Sequence, residues 1–212
     1  MSQRDGKRMV IYGRSGSGKS HYGKKLIQGH DRIVCFDPEG EYGAERGFVS
    51  TSSLSELLEI LKDCHEGAFK VAYVPSALRE EAELHEVASL LERLQEPYLN
   101  GKSDLKVTLL VDELNLSFPL NPRPDYSGFA RLCSRGRKRG INIIGITQRP
   151  AEVSTRFRGN IDRLACFALS VPNDFHVITQ TIGPDAERAV RELPEYGHIF
   201  FENGEMTING PT

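Results

Sequence analysis

Arg8-Met9-Val10-Ile11-Tyr12-Gly13-Arg14-Ser15-Gly16-Ser17-Gly18-Lys19-Ser20 is the stretch that decides the fold. Its first five residues read as a short buried strand. Residues 13–20 then match G-x-x-x-x-G-K-[ST] in full, and helix signals run from Lys19 to about Gln28, where Gly29 fits a C-terminal cap. Strand, glycine-rich loop and helix in that order form a phosphate cradle. Glycines let successive backbone N–H groups converge on phosphate oxygens, and the helix adds its positive end. Gly13, Arg14, Ser15, Gly16, Ser17, Gly18, Lys19 and Ser20 are therefore the candidate nucleotide-binding residues, here for ATP. Lys19 is suited to reach the β- and γ-phosphates and Ser20 to ligate Mg²⁺.

Outward from this loop, short apolar runs alternate with helical patterns. Residues 33–36, 69–74, 106–111, 141–146 and 164–169 read as strands. Ser53 to Cys64 reads as an amphipathic helix capped by Ser53, Glu80 to Tyr98 as one longer helix, and about Tyr126 to Lys138 as another. Buried strands separated by helices predict an α/β fold with a mainly parallel sheet flanked by helices. Asn203-Gly204 between apolar runs predicts an antiparallel hairpin over 199–208 at the sheet edge. Residues 1–212 are expected to form a single ATPase domain.

Two strand ends carry candidate chemistry. Val107 to Val111 runs into Asp112 and Glu113, placing two carboxylates where ligands bind in parallel sheets. Asp112 suits a metal ligand alongside Ser20, and Glu113 suits a base for an attacking water. The strand ending in Thr147 brings the Gln148 amide to the same edge, where it can sense a γ-phosphate or simply close a turn before Pro150. Between them, Arg131, Arg135, Arg137, Lys138 and Arg139 put five cations in nine residues. A solvated basic face is one reading of such a run. The others are phosphate contacts to a nucleic acid and an arginine finger reaching a neighbouring subunit's site, with Arg139 preferred over Arg135.

Composition narrows the classes. Net charge is −2, so any nucleic-acid contact must come from a local patch. Four cysteines without metal-ligand spacing suit reduced thiols packed in the core. No run approaches the ~18 apolar residues of a membrane helix, and MSQRDGKR lacks a leader's apolar segment, so a cytoplasmic location is expected.

Four segments together resemble the FtsK/HerA superfamily of P-loop ATPases, and most of all the compact packaging ATPases of tailless viruses with an internal membrane. They are GRSGSGKS (13–20), DPEGEYG (37–43), LLVDEL (109–114) and SRGRKRGINIIGITQRPAEVSTRFRGN (134–160). The resemblance implies a RecA-like fold, a homo-oligomeric ring (often a hexamer), translocation of double-stranded DNA without sequence preference, and capsid or packaging-vertex partners. By the same resemblance Lys19 and Ser20 bind nucleotide and metal, Asp112 and Glu113 form the acidic pair, Gln148 is the polar sensor, and the finger falls near Arg139. Alternatives are a cellular or plasmid translocase or helicase of this superfamily, and a small-molecule kinase with Arg156, Arg158 and Arg163 as a lid.

Overall fold

Strand β1 (Arg8–Tyr12) is buried along its whole length and sits mid-sheet, between strands drawn from the second half of the chain. The computed structural model describes residues 5–211. The other strands are β2 (Arg32–Phe36), β3 (Val49–Thr51), β4 (Phe69–Tyr73), β5 (Val107–Val111), β6 (Ile141–Thr147), β7 (Arg163–Cys166), β8 (His198–Glu202) and β9 (Glu205–Asn209). Among the described residues these form one nine-stranded sheet ordered β3-β4-β2-β5-β6-β1-β7-β8-β9. β3 through β7 pair in parallel, whereas β8 and β9 add antiparallel.

Helices α1 (Lys19–Ile27), α2 (Leu54–Asp63), α3 (Glu80–Leu94), α4 (Glu96–Leu99), α5 (Leu114–Ser117), α6 (Gly128–Arg135), α7 (Thr155–Arg158), α8 (Pro172–Ile182) and α9 (Ala186–Arg191) cover the sheet unequally. Successive strand residues point to opposite faces. Val10, Val34, Leu109 and Ile143 therefore meet Leu57, Leu91, Phe129 and Ile178 on the face carrying most helices. Ile11, Ile33, Leu110 and Ile146 meet Ile27 and Tyr42 on the other, where α1 lies. A Cβ on Gly23 would approach Ile146 Cδ1 to 2.7 Å, so the bare glycine is what lets α1 lie this close.

Several boundaries differ from the sequence reading. The helix expected over 80–98 is broken at Gln95, because Pro97 cannot donate into the preceding turn and starts α4 instead. The buried Gln95 amide fills the break, donating to the carbonyls of Leu105 and Arg139 at 2.9 Å each. The helix expected to Lys138 is α6 followed by a tighter 3-10 turn, Gly136–Arg139, stopped by Gly140 in the left-handed region (φ 65°). The strand expected over 164–169 ends at Cys166. Edge strand β3 and helices α8 and α9 were not anticipated. The hairpin is as expected, with Asn203 (φ 54°) and Gly204 (φ 85°) forming its left-handed turn. The Ser53 cap is also present, its side chain accepting from the Glu56 N–H at 3.3 Å.

Cys35, Cys133 and Cys166 are buried free thiols and Cys64 is half-buried. Burial pushes the Cys133 thiol up to about 12, so it packs as a small apolar group. No helix among the described residues is long and apolar enough to cross a membrane.

Candidate active site

Strand register brings the chemistry to one edge. Tyr12 pairs with Thr147, Val111 with Gly145, and Phe36 with Val111, so β1 and β6 run two residues past the ends of β5 and β2, to the level that Asp112 and Glu113 continue into. β6 lies between β1 and β5. Gln148, which follows it, is thereby set between the phosphate loop on one side and Glu113 on the other. A cavity of ≈ 580 Å³ opens there, and Lys19, Ser20, Asp112, Glu113 and Gln148 all line it, together with Ser15 and Gly16.

The start of the loop is tied to the segments on both sides: Gly13 N–H donates to the Thr147 carbonyl (3.3 Å) and Arg14 N–H to that of Ala168 (2.8 Å). Gly18 takes φ 98°, which a side chain would strain, and a Cβ there would meet the Tyr196 and Phe167 rings at 3.4 and 3.6 Å. Ser17 is buried under the loop, while Arg14 and Ser15 are exposed. Lys19 is only 7% exposed, which directs its ammonium to the cavity it lines.

Asp112 is 3% exposed. Burial pushes its carboxyl up to about 7; the charges of Glu113 and Glu41 add to the rise, while the Glu113 N–H (2.9 Å to Oδ1) and Lys19 oppose it. Such a carboxyl favours a cation that would replace its proton. Ser20 and Asp112 fit Mg²⁺, which takes one or two protein oxygens beside phosphate and water. Among the described residues no group of three or more His, Cys, Asp or Glu is arranged to hold a metal by itself.

Glu113 stands in the left-handed region (φ 43°, ψ 52°), a conformation that costs a non-glycine residue on the order of 1–2 kcal/mol. Its side chain accepts from Gln148 Nε2 at 2.7 Å. The residue before Gln148 adds a second link, Thr147 Oγ1 donating to Asn115 Oδ1 at 2.7 Å. The ends of β5 and β6 are thus laced together by two side-chain bonds.

The five clustered cations divide. Arg131 pairs with Glu92 (3.0 Å) and Arg137 with Asp162 (2.6 Å). Arg139 bonds Glu96 (3.0 Å) and the Glu92 carbonyl (3.1 Å), and its side chain is 17% exposed. Arg135 and Lys138 are exposed and make no ion pair among the described residues. The run is therefore not one solvated face. Arg139 is thus bonded to α3 and α4 of its own chain, whereas Arg135 is not tied by an ion pair among the described residues.

Residues that the sequence reading did not assign also line the cavity. Asp37, fully buried, accepts from the N–H groups of Glu41 (2.9 Å) and Tyr42 (2.8 Å), folding DPEGEYG into a turn that holds Glu39 and Glu41 at the rim. Arg149 also lines it, braced by Glu152 (2.8 Å) and the buried Asp174 (3.3 Å). Adjacency to Gln148 was the available signal for Arg149. Asp174 had none, since its helix was not foreseen.

Fold and site together define a P-loop nucleotide-binding protein with a RecA-like sheet. No protein-family model matches the chain, and no curated protein matches it. Solved structures do. The genome packaging NTPase B204 from Sulfolobus turreted icosahedral virus 2, in complex with ATP-gammaS, aligns over 100% of both chains with TM-score 0.76 and 20% identity. VirB4 of Thermoanaerobacter pseudethanolicus aligns over 97% of this chain and 89% of its own with TM-score 0.70 and 12% identity. The N-terminal domain of zonular occludens toxin from Neisseria meningitidis gives 0.51 at 11% identity, over 98% and 95%. The fold is the one that the resemblance to FtsK/HerA-type ATPases implies.

Proposed function

We propose that this protein is an ATP-hydrolysing translocase of double-stranded DNA that packages a viral genome, working as a homo-oligomeric, hexameric ring at a packaging vertex. The observation that carries the reading is the 2.7 Å bond from Gln148 Nε2 to Glu113 Oε1 beside Lys19, Ser20 and Asp112. A site built only to bind nucleotide has no use for a held base. Likeness in fold to a genome packaging NTPase along the whole chain supports the substrate class.

In this reading the phosphate loop and Lys19 orient the triphosphate, and Ser20 with Asp112 hold Mg²⁺. The cation supplies charge neutralisation of the β- and γ-phosphate oxygens. Gln148 is the residue that changes partner: a γ-phosphate oxygen competes for its amide, and Glu113 is then free to take a proton from water. Arg135, exposed and without an ion pair among the described residues, is the arginine this reading assigns to a neighbouring subunit. Of the three arginines of the kinase alternative's lid, Arg158 is bonded to the Val153 carbonyl (3.0 Å) and Arg163 to Glu202 (2.7 Å), which speaks against that alternative, while Arg156 is left exposed.

The test is ATP turnover with and without long duplex DNA, on protein of measured oligomeric state. Stimulation of an oligomer by DNA is expected. A monomer that phosphorylates a nucleoside and ignores DNA would sink the reading.

A further inference from the structure

The two strands that end in Glu113 and Gln148 do not diverge beyond the site. From Glu113 the chain runs through α5 to Phe118 and Pro119. From Gln148 it runs through a 3-10 turn, Pro150–Glu152, to Val153 and α7. These arms meet again: Pro119 and Val153 form an antiparallel bridge, and Ser154 N–H donates to the Phe118 carbonyl at 3.2 Å. Arg158 Nε adds a bond to the Val153 carbonyl at 3.0 Å. Just past this clasp lies a second cavity of ≈ 320 Å³, between the proline-rich loop and α7.

Its walls carry Arg123 and Arg156, one from each arm, with Tyr126, Ser127 and Thr155 between them, and no carboxylate lines it. Both arginines are exposed. The Arg156 guanidinium has no partner among the described residues. Arg123 lies over the Tyr126 ring at 5.9 Å, and Glu81 accepts from its backbone N–H, so its side chain starts from a fixed base. Pro122 and Pro124 flank it and stiffen the loop. Two guanidinium groups with hydroxyls between them, in a cleft that no carboxylate lines, suit a run of phosphodiester groups.

We propose that Arg123 and Arg156 grip the phosphate backbone of duplex DNA, and that the two clasped arms carry the state of the Glu113–Gln148 bond to that grip. Exchange of the Gln148 amide from Glu113 to a γ-phosphate displaces one arm against the other at its root, and the clasp passes that displacement to the arginines. The proposal rests on the translocase reading and assigns its DNA contact.

The experiment is fluorescence anisotropy of a labelled duplex of about 40 base pairs, measured across a salt series. It compares the parent protein, the Arg123→Ala/Arg156→Ala double variant, and an Arg188→Ala/Arg191→Ala variant that removes the same charge from α9. Each phosphate contact contributes about 0.9 to the slope of log K against log salt, so the cleft variant should lose close to two from that slope and bind roughly tenfold or more weakly. The α9 variant should keep the parent slope. Arg123→Lys/Arg156→Lys should restore most of the slope, because a point charge still contacts phosphate. DNA stimulation of ATP turnover should fall in the cleft variant alone. If the cleft variant binds and responds to DNA as the parent does, this assignment is overturned while the translocase reading stands, and the cleft serves another partner such as a protein. If the parent protein neither binds duplex nor responds to it, both readings fail together.

Discussion

Gln148 donates to Glu113 across the ends of β6 and β5 at 2.7 Å, and Glu113 is held there in a left-handed backbone conformation. In the proposed cycle, Glu113 is a base kept idle until its partner is drawn off. Glu113→Gln should keep ATP binding and lower kcat by about 10²–10⁴, the usual range for loss of a general base. Gln148→Ala frees the base without sensing phosphate. It should lower kcat by a smaller factor, of order 10–100, and weaken the dependence of turnover on DNA. Steady-state kinetics with a separate nucleotide-affinity measurement would distinguish the two.

Asp112 makes stability depend on pH in a definite direction. Its folded value, about 7, lies above the ordinary carboxylate value, so the folded chain holds a proton that the unfolded chain releases. The stability this contributes is present at low pH and is lost as pH rises through about 7. Melting of the nucleotide-free protein should therefore fall, relative to Asp112→Asn, between about pH 4 and pH 7 and level off above. A tenfold difference in proton affinity between the folded and unfolded chain is worth roughly 1.4 kcal/mol, so the gap should reach a few kcal/mol. In the proposed site Mg²⁺ would take the place of that proton, so Mg²⁺-dependent ATP affinity should rise over the same window.

Arg139 and Arg135 should separate cleanly. Arg139→Ala removes bonds to Glu96 and the Glu92 carbonyl, and should cost about 1–3 kcal/mol of stability in a denaturant titration. Arg135→Ala should leave stability within about 0.5 kcal/mol. It should nevertheless abolish hydrolysis in the assembled protein, and mixing with Glu113→Gln subunits should restore part of it. Intact hydrolysis in Arg135→Ala would remove its proposed trans role.

Asp37→Ala should be among the more damaging single changes outside the loop. It orphans the N–H groups of Glu41 and Tyr42, each of which donates to this fully buried carboxylate. Loss of two such charge-assisted bonds should cost about 2–4 kcal/mol, read as a lowered denaturation midpoint with an unchanged slope.

The parts legible in the sequence are those whose cause is local. Gly13 to Ser20, the alternation of buried strands with helices, the Asn203-Gly204 turn and the Ser53 cap each follow from residues within a few positions of one another. What was hidden depends on tertiary partners. Nothing near Gln148 in sequence says that it meets Glu113, because strand order brings them together. Arg139 and Arg135 look alike until Glu92 and Glu96 are placed beside one of them. β3 is too short, and at Val49 and Ser50 too exposed, to show a strand pattern. α8 opens on Pro172, Asn173 and Asp174, which look like a turn, and its apolar Phe175, Val177 and Ile178 are a short stripe, although a proline is well tolerated in a helix's first turn.

β1 lies between β6 and β7, so the strand that launches the phosphate loop finds both its neighbours only in the last third of the chain. During synthesis on a ribosome, residues 13–20 would emerge early and remain without a floor until residues 141–166 had followed. The ability to hold ATP is therefore acquired late in biosynthesis, in one step, when β1 is threaded between strands made long after it. A nascent chain stalled before β6 should carry every residue of the loop and still fail to retain nucleotide.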